Sequence, residues 1–213
     1  LNNLLQDPPP QAVIDEVLVE EVVDEAFQGF QIRESANASS DFLPVSADLA
    51  ICEDCKRELF DLTDRRFRYP FINCTNCGPR FSIVRGIPYD RPNTSMAGFP
   101  LCPDCAQEYN DPSDRRFHAQ PVACAECGPQ IWYEADGVEL SHDVSALVKA
   151  KELLTQGGIL AIKGLGGFHL ACDAQNPQAL ENLRSRKHRT GKPFACMAFD
   201  LATVEKYLQL DGE

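Results

Sequence analysis

The chain has 213 residues, a formal net charge of −12 at pH 7 and a mean hydropathy of −0.27. No apolar run approaches the roughly 20 residues of a membrane-spanning helix, which argues against a membrane protein. An acidic chain also lacks the positive charge that drives general nucleic-acid binding. The start of the chain has no secretory pattern, so we expect a cytoplasmic protein.

The acidic charge is concentrated in residues 1–50, which contain ten acidic residues and one basic residue. Within this segment Val17–Val23 is rich in valine, and we predict it as a strand, with a second short strand at Phe30–Arg33. Ser35–Asp41 consists mainly of small and polar residues without periodicity, and we predict it as a linker.

A tandem repeat follows. Residues Ile51–Ile83 and Leu101–Tyr133 align without gaps at an offset of fifty residues. Both copies contain two CxxC pairs, an Asp-Arg-Arg-Phe element and a Gly-Pro dipeptide in the same places. Two copies are too few for a solenoid, so the pattern indicates a duplicated small module.

The CxxC pairs of each copy are separated by eighteen residues. Paired thiolates are typical of tetrahedral zinc sites, and four cysteines leave no open position for a catalytic water. Disulfides and a thioredoxin-type redox motif are the alternatives, but the missing secretory signal and the four regular copies argue against them. We predict two structural zinc ions, held by Cys52, Cys55, Cys74, Cys77, Cys102, Cys105, Cys124 and Cys127. The spacing leaves open whether each ion is held within one repeat or by interleaved pairs.

The Asp-Arg-Arg-Phe elements, Asp64–Phe67 and Asp114–Phe117, have two interpretations. They could bind a partner, or the Asp could pair with the Arg while the Phe packs beside the metal site. We favour the second, because a duplicated feature more often serves the duplicated fold. Cys172 and Cys196 lie outside the CxxC set, and we predict them as small buried side chains.

The last third has clearer helix and strand signals. Asp143 is predicted to cap a helix that ends at Gly157-Gly158. A strand at Ile159–Ile162, a turn at Lys163–Gly167 and a helix from the N-cap Asn176 to about Arg186 follow. Alternating helix and strand indicate an α/β domain, and we expect this domain to be incomplete in the chain.

Five basic residues lie between Arg184 and Lys192. They could be a solvated helix end, where cations interact favourably with the helix dipole. They could also form a phosphate-binding cluster that faces the glycine-rich turn at Lys163, which lacks the spacing of a P-loop. The charges alone do not choose between these alternatives.

Four motifs, RRFRYPF, CTNCGPR, KGLGGFHLACDA and RKHRTGKP, resemble the HypF family of carbamoyltransferases, and the resemblance extends from Asp48 to about Asp200. It implies an α+β multidomain fold, in which two tandem four-cysteine zinc modules lie between the end of an acylphosphatase-like, ferredoxin-like domain and the start of an α/β YrdC-like domain. The implied ranges are 1–40 for the acylphosphatase-like part and linker, 41–90 and 91–140 for zinc modules 1 and 2, and 141–213 for the YrdC-like part.

The resemblance also implies a function. HypF proteins use carbamoyl phosphate and ATP to form carbamoyl adenylate, and pass the carbamoyl group to the C-terminal cysteine of HypE for cyanide-ligand synthesis in [NiFe]-hydrogenase maturation. By this resemblance and the charges, nucleotide and phosphate are predicted to bind at Lys163, Lys187, Arg189 and Lys192. The catalytic residues remain unassigned, and His169 could contact substrate or support the strand.

A zinc-dependent protein-binding or nucleic-acid-binding adaptor without catalysis is the alternative function. The repeats are not basic and lack a pattern of stacking aromatic residues, which argues against nucleic-acid binding.

Overall fold

The computed structural model describes residues 5–8, 11–20, 45–189 and 191–209. The chain forms two compact units, Leu1–Ile131 and Trp132–Glu213, called unit 1 and unit 2 below. Among the described residues, no helix has the length and apolar character needed to cross a membrane.

The predictions for the acidic segment are only partly testable. Residues 17–20 have no strand pairing, so this part of the predicted strand Val17–Val23 is wrong. Its last three residues lie outside the described residues, as do the predicted strand Phe30–Arg33 and the predicted linker Ser35–Asp41.

The repeat region of unit 1, described over residues 45–131, contains two equivalent α-helices, α1 (Glu53–Phe60) and α2 (Pro103–Asn110). Two short 3-10 helices, Arg91–Asn93 and Ser95–Gly98, lie between them. The first cysteine of each repeat is the N-cap of its helix, and in α1 the Sγ of Cys52 accepts a hydrogen bond from the backbone N–H of Cys55 at 3.5 Å.

The chain leaves both helices in the same way. An Asx turn follows each helix, where the Oδ1 atoms of Asp61 and Asp111 accept backbone N–H groups of Thr63 and Ser113, both at 2.9 Å. The gap-free offset of fifty residues in the sequence is therefore reproduced in the backbone of the described repeats.

The two modules share one small core. The buried cluster around Cys55, Tyr69 and Ile72 also includes Ala123 of the second module. Tyr69 donates its hydroxyl to the carbonyl of Pro129 at 3.1 Å, which adds a polar contact between the copies. The second module adds only a small buried cluster of its own, made of three zinc-site cysteines with Leu101 and Cys127 packed against it.

Residues 132–189 and 191–209, the described part of unit 2, form two antiparallel hairpins and three α-helices. The first hairpin pairs β1 (Trp132–Ala135) with β2 (Val138–His142), and the second pairs β3 (Leu160–Gly164) with β4 (Gly167–Ala171). The helices are α3 (Asp143–Thr155), α4 (Pro177–Arg186) and α5 (Leu201–Glu205).

Several predictions for this region are confirmed and some are wrong. Helix α4 begins after the N-cap Asn176, whose side chain accepts from the N–H groups of Gln178 and Ala179, as predicted. Asp143 is not a cap, because α3 has His142 as N-cap and no side-chain capping bond. Lys163 lies in β3 rather than in a turn, since the hairpin pairs it with Phe168.

Strands β1, β2 and β4 were missed by the sequence analysis. The β1–β2 hairpin turns at Asp136-Gly137, where both residues have positive φ of 53° and 76°. An Asp-Gly dipeptide between two strands is a known hairpin signal, so this element was detectable.

Replacement of Gly128 by alanine tests the shared core of unit 1. An added Cβ would lie 2.2 Å from the Oη of Tyr69 and 2.4 Å from the Cβ of Ala123. We expect Gly128→Ala to lower the free energy of unfolding of the zinc-loaded chain by about 2 kcal/mol, because overpacking forces the backbone to shift. Urea unfolding followed by zinc release to a chromogenic chelator measures this.

Gly98→Ala is the matched control, since nothing lies within 4 Å of a Cβ at that position. Equal unfolding midpoints for the two variants would contradict the close packing at Gly128.

Two cysteine clusters and a basic loop as candidate sites

Eight cysteines form two clusters in unit 1. Within each cluster all four Sγ atoms lie within 4.8 Å of one another. The first cluster contains Cys52, Cys55, Cys74 and Cys77, and the second contains Cys102, Cys105, Cys124 and Cys127. Each cluster therefore comes from one repeat, which decides the question of pairing that the spacing left open.

The sulfur separations fit zinc. Cys52 and Cys74 have Sγ atoms 3.7 Å apart, and those of Cys124 and Cys127 are 3.8 Å apart. A tetrahedral ion with Zn–S bonds of about 2.3 Å requires sulfurs about 3.8 Å apart, whereas a disulfide requires a direct S–S bond. None of the ten cysteines of the chain forms a disulfide.

Local structure positions the sulfurs. In each cluster the first CxxC pair lies at the start of α1 or α2, where the helix dipole favours thiolate charge. The second pair lies on a loop that continues into Gly78 or Gly128. Gly78 has a φ of +95°, and an added Cβ would lie 2.6 Å from that of Asn73, so this turn requires glycine.

The arginines of each Asp-Arg-Arg-Phe element form ion pairs with a glutamate of the other module. Arg65 and Arg66 of the first module contact Glu108 on α2, and Arg115 and Arg116 of the second module contact Glu58 on α1. The prediction that Asp pairs with Arg within each element is thus wrong for the side chains. The Oδ1 of Asp64 accepts the backbone N–H of Arg66, at 2.7 Å, and not the guanidinium of either arginine.

The arginines also reach the cysteine clusters. The Nη2 of Arg65 lies 3.1 Å from the Sγ of Cys105, and the Nη1 of Arg115 lies 3.1 Å from the Sγ of Cys55. Sequence analysis did not single out Glu58 and Glu108, although both repeats carry glutamate at the same offset of fifty residues. The repeated glutamate is the sequence feature that could have identified both residues.

The ion pairs change the acidity of both glutamates. Burial alone would raise the pKa of Glu108, but hydrogen bonds from Arg66 and Arg65 outweigh it and lower the pKa to about 2. The pKa of Glu58 is lowered in the same way, against burial, by Arg115 and Arg116. Because these pKa values are depressed on folding, the ion pairs stabilise the fold above pH 4.5 and lose this contribution as the pH falls towards about 2.

The basic segment forms a turn at the end of α4. His188 has a positive φ of 49°, and the N–H groups of His188 and Arg189 donate to the carbonyls of Ser185 and Arg184, both at 3.1 Å. This is the hydrogen-bond pattern of a Schellman motif, which ends a helix and reverses the chain.

Arg184 holds the segment after this turn. Its Nη1 donates to the carbonyls of Arg189 and Lys192, both at 3.1 Å. Its guanidinium also lies 4.6 Å from the ring centre of Phe194, and that of Arg189 lies 5.9 Å from the same ring. We call residues 187–192 the basic loop; its Lys187 and Lys192 are exposed.

Lys163 and His169 lie on the β3–β4 hairpin. The ring of His169 covers Gly164, where an added Cβ would lie 3.0 Å from the Cδ2 atom of the histidine. Within the described part of the chain, no hydrogen bond joins Lys163 to the basic loop, so their common phosphate site stays a prediction. Of the two remaining cysteines, Cys172 is half-buried and Cys196 is exposed, so the burial predicted for Cys196 is wrong.

Comparison with known proteins agrees with this arrangement. The signature of the HypF finger family matches residues 51–84 and 101–134, and that of the Sua5, YciO and YrdC family, described as telomere recombination, matches residues 152–213. The chain is 52% identical to carbamoyltransferase HypF2 of Cupriavidus necator over 96% of its own length. It is 49% identical to the probable carbamoyltransferase HypF of Methanocaldococcus jannaschii over its full length.

The chain belongs to the HypF family. It is also similar to the crystal structure of a full-length HypF in the phosphate- and nucleotide-bound form, with 48% identity and a TM-score of 0.86 over 99% of the chain. The HypF of T. kodakarensis is 50% identical, with a TM-score of 0.75 over 81% of the chain. The chain spans 26% of the length of HypF2, 28% of the M. jannaschii protein, and 27% and 23% of the two solved structures.

The family assignment and the two four-cysteine clusters together identify two structural zinc sites, followed by the start of a YrdC-like domain. The four sulfurs of each cluster would complete the tetrahedral coordination of a zinc ion, which suits a structural rather than a catalytic ion.

Bound metal provides the direct measurement. We expect two zinc ions per purified chain, and one or fewer in Cys55→Ser or Cys105→Ser, because a four-cysteine site that loses a thiolate binds zinc much more weakly. Metal analysis by mass spectrometry gives the stoichiometry, and cobalt substitution gives the absorption of tetrahedral thiolate sites. Cys172→Ser and Cys196→Ser are the matched controls and should keep both ions. Loss of zinc from these controls would mean that the clusters are not the binding sites.

Proposed function

We propose that this chain is the central part of an ATP-dependent carbamoyltransferase of the HypF type. In this proposal the whole protein converts carbamoyl phosphate and ATP to carbamoyl adenylate. It then transfers the carbamoyl group to the C-terminal cysteine of HypE, for cyanide-ligand synthesis in [NiFe]-hydrogenase maturation. Relatives named carbamoyltransferase at about 50% identity support the reaction class.

The eight clustered cysteines are proposed as the ligands of the two zinc ions. Since all four positions around each ion are taken by sulfur, the zinc would shape unit 1 and take no part in bond making. A reducing cytoplasm is the proposed location, because it keeps such thiolates available for metal.

The basic loop is the observation that carries the nucleotide part of the proposal. Within the described residues, none of the side chains of Lys187, Arg189 and Lys192 forms an ion pair with a carboxylate. Lysine and arginine side chains without acidic partners are suited to an anionic ligand. A solved HypF relative binds phosphate and nucleotide, which is consistent with this assignment.

The proposed chemistry balances as three displacements. Water first attacks the phosphorus of carbamoyl phosphate, which breaks its bond to the bridging oxygen and releases carbamate and inorganic phosphate. An oxygen of the carbamate then attacks the α-phosphorus of ATP, which forms carbamoyl adenylate and releases pyrophosphate. In the transfer step the HypE thiolate attacks the carbamoyl carbon, a C–S bond forms, and AMP leaves. Lys187, Arg189, Lys192 and Lys163 would bind the phosphates and offset the negative charge that develops on them.

Pyrophosphate and AMP release from ATP tests the adenylation. We expect release by the full-length protein to require carbamoyl phosphate, and to fall by about 100-fold or more in Lys187→Ala and in Arg189→Ala. Lys151→Ala is the control, since Lys151 is exposed on α3, away from the basic loop in sequence. Zinc content is measured for each variant to verify that unit 1 is intact.

If zinc-loaded wild-type protein releases no pyrophosphate, the enzymatic proposal fails and a zinc-dependent adaptor becomes the better explanation. If both loop variants retain full release, the nucleotide site lies elsewhere.

The transfer step has a separate measurement. We expect mass spectrometry to find the carbamoyl group on the C-terminal cysteine of HypE after incubation with the full-length protein, ATP and carbamoyl phosphate. HypE with this cysteine replaced by alanine should stay unmodified, because it lacks the accepting thiolate. Release of AMP without modification of wild-type HypE would argue for a different acceptor.

A further inference from the structure

We propose that the two zinc sites of unit 1 bind metal cooperatively, because the Asp-Arg-Arg-Phe arginines of each module hold the zinc ligands of the other module. The inference rests on zinc binding by the cysteine clusters and is independent of the carbamoyl-transfer proposal.

The second cluster is held by arginines of the first module. The guanidinium of Arg66 donates through Nη2 to the Sγ of Cys105 at 3.4 Å, and through Nε to the carbonyl of Ala123 at 2.9 Å. Cys105 belongs to the first CxxC pair of this cluster, and Ala123 directly precedes the second pair. One side chain of module 1 therefore ties together both halves of the zinc site in module 2.

The first cluster has the reciprocal arrangement. Arg115 donates to the Sγ of Cys55 at 3.1 Å and approaches that of Cys52 at 3.9 Å. The Nε of Arg116 donates to the carbonyl of Asn73 at 3.2 Å, directly before the second CxxC pair of this cluster. Each zinc site thus depends on side chains that its own module does not supply.

The charges of the arginines and of the zinc sites make each module depend on the other. A zinc ion with four thiolates has a formal charge of −2, and two guanidinium groups lie against or beside each cluster. Arg66 and Arg116 are only 1% and 4% exposed, so their charges are costly unless their anionic partners in the other module stay in place. If one site loses zinc and opens, arginines of the other module lose partners, and the second site is weakened as well. By linkage, zinc at either site must strengthen the other by the same factor.

Alkylation during zinc removal measures the coupling in the wild-type chain. Zinc-loaded protein is treated with a chelator and iodoacetamide, and intact-mass spectrometry counts the labelled cysteines on each chain. We expect chains with both clusters protected or both alkylated, and few chains with only one cluster alkylated, because the sites open together. A large population with one cluster alkylated and the other protected would overturn the proposal.

Arg65→Met tests the cross-module direction. Arg65 is chosen because its side chain is 30% exposed, so its replacement disturbs folding less than that of buried Arg66. We expect zinc loss from the second cluster to accelerate by about 10-fold or more, as for other residues that support metal ligands. Because this variant removes part of the coupling, chains with one opened cluster should become populated, unlike in the wild-type chain. Peptide mapping of the alkylated cysteines identifies the opened cluster, and we expect it to be the second cluster.

Two further variants complete the design. Arg115→Met should reverse the order, because Arg115 contacts Cys55 of the first cluster. Arg65→Lys keeps the charge and should recover part of the loss. The charge-matched control is Arg57→Met on α1, whose side chain is 70% exposed and pairs with Asp54, within its own module. Two results would refute the cross-module role. One is that Arg57→Met accelerates zinc loss as much as Arg65→Met does. The other is that in each variant the cluster of the mutated module opens first.

Discussion

Two buried guanidinium groups, those of Arg66 and Arg116, are the constraint on which unit 1 depends. A buried cation is tolerated only with anionic partners and full hydrogen bonding. Arg66 donates to Glu108, to the Sγ of Cys105 and to a backbone carbonyl, and Arg116 donates to Glu58 and to a backbone carbonyl, all in the opposite module. The requirement to satisfy these two cations therefore constrains how the modules pack, together with the few apolar side chains between them.

The duplication explains why the arginine contacts between the two modules are symmetric. Since both repeats carry the same arginines and the same glutamate at the same offset, a contact made in one direction is available in the other. The two copies differ at positions whose contacts stay within one module. Arg80 donates to the carbonyls of Cys74 and Thr75 beside the first cluster, whereas its equivalent Gln130 donates only to that of Ala125. A contact between the modules constrains the residue at that position in both copies. A contact within one module constrains the residue in that copy alone.

The two kinds of site in the chain use charge in opposite ways. Around the zinc clusters, arginines meet thiolates and carboxylates, so the charge is compensated within the protein and serves stability. The basic loop has no carboxylate partner among the described residues, and Arg184 directs its hydrogen bonds to the backbone of the loop. Lys187 and Lys192 are thereby left exposed for an external anion. This contrast is the physical reason for proposing chemistry at the loop and only structure at the metal sites.

Local patterns were readable from the sequence alone. The CxxC pairs, the duplication, the N-cap of α4 and the helix-ending glycines depend on residues close together in the chain, so their structural consequence follows from spacing. The sequence motifs are also sufficient to indicate the family. The β1–β2 hairpin was missed although Asp136-Gly137 indicated it, because the flanking strands are short and mostly exposed.

Only the tertiary structure decided which groups meet across long separations. The sequence left sequential and interleaved zinc pairing open, since both satisfy the same spacing, and the folded loops brought each repeat's own cysteines together. It also suggested that Asp64 pairs with the neighbouring arginines, whereas those side chains reach Glu108, more than forty residues away. Arginine has a long side chain with several donors, so its partner is chosen by what the fold places within reach and by the cost of burying its charge, neither of which is encoded locally.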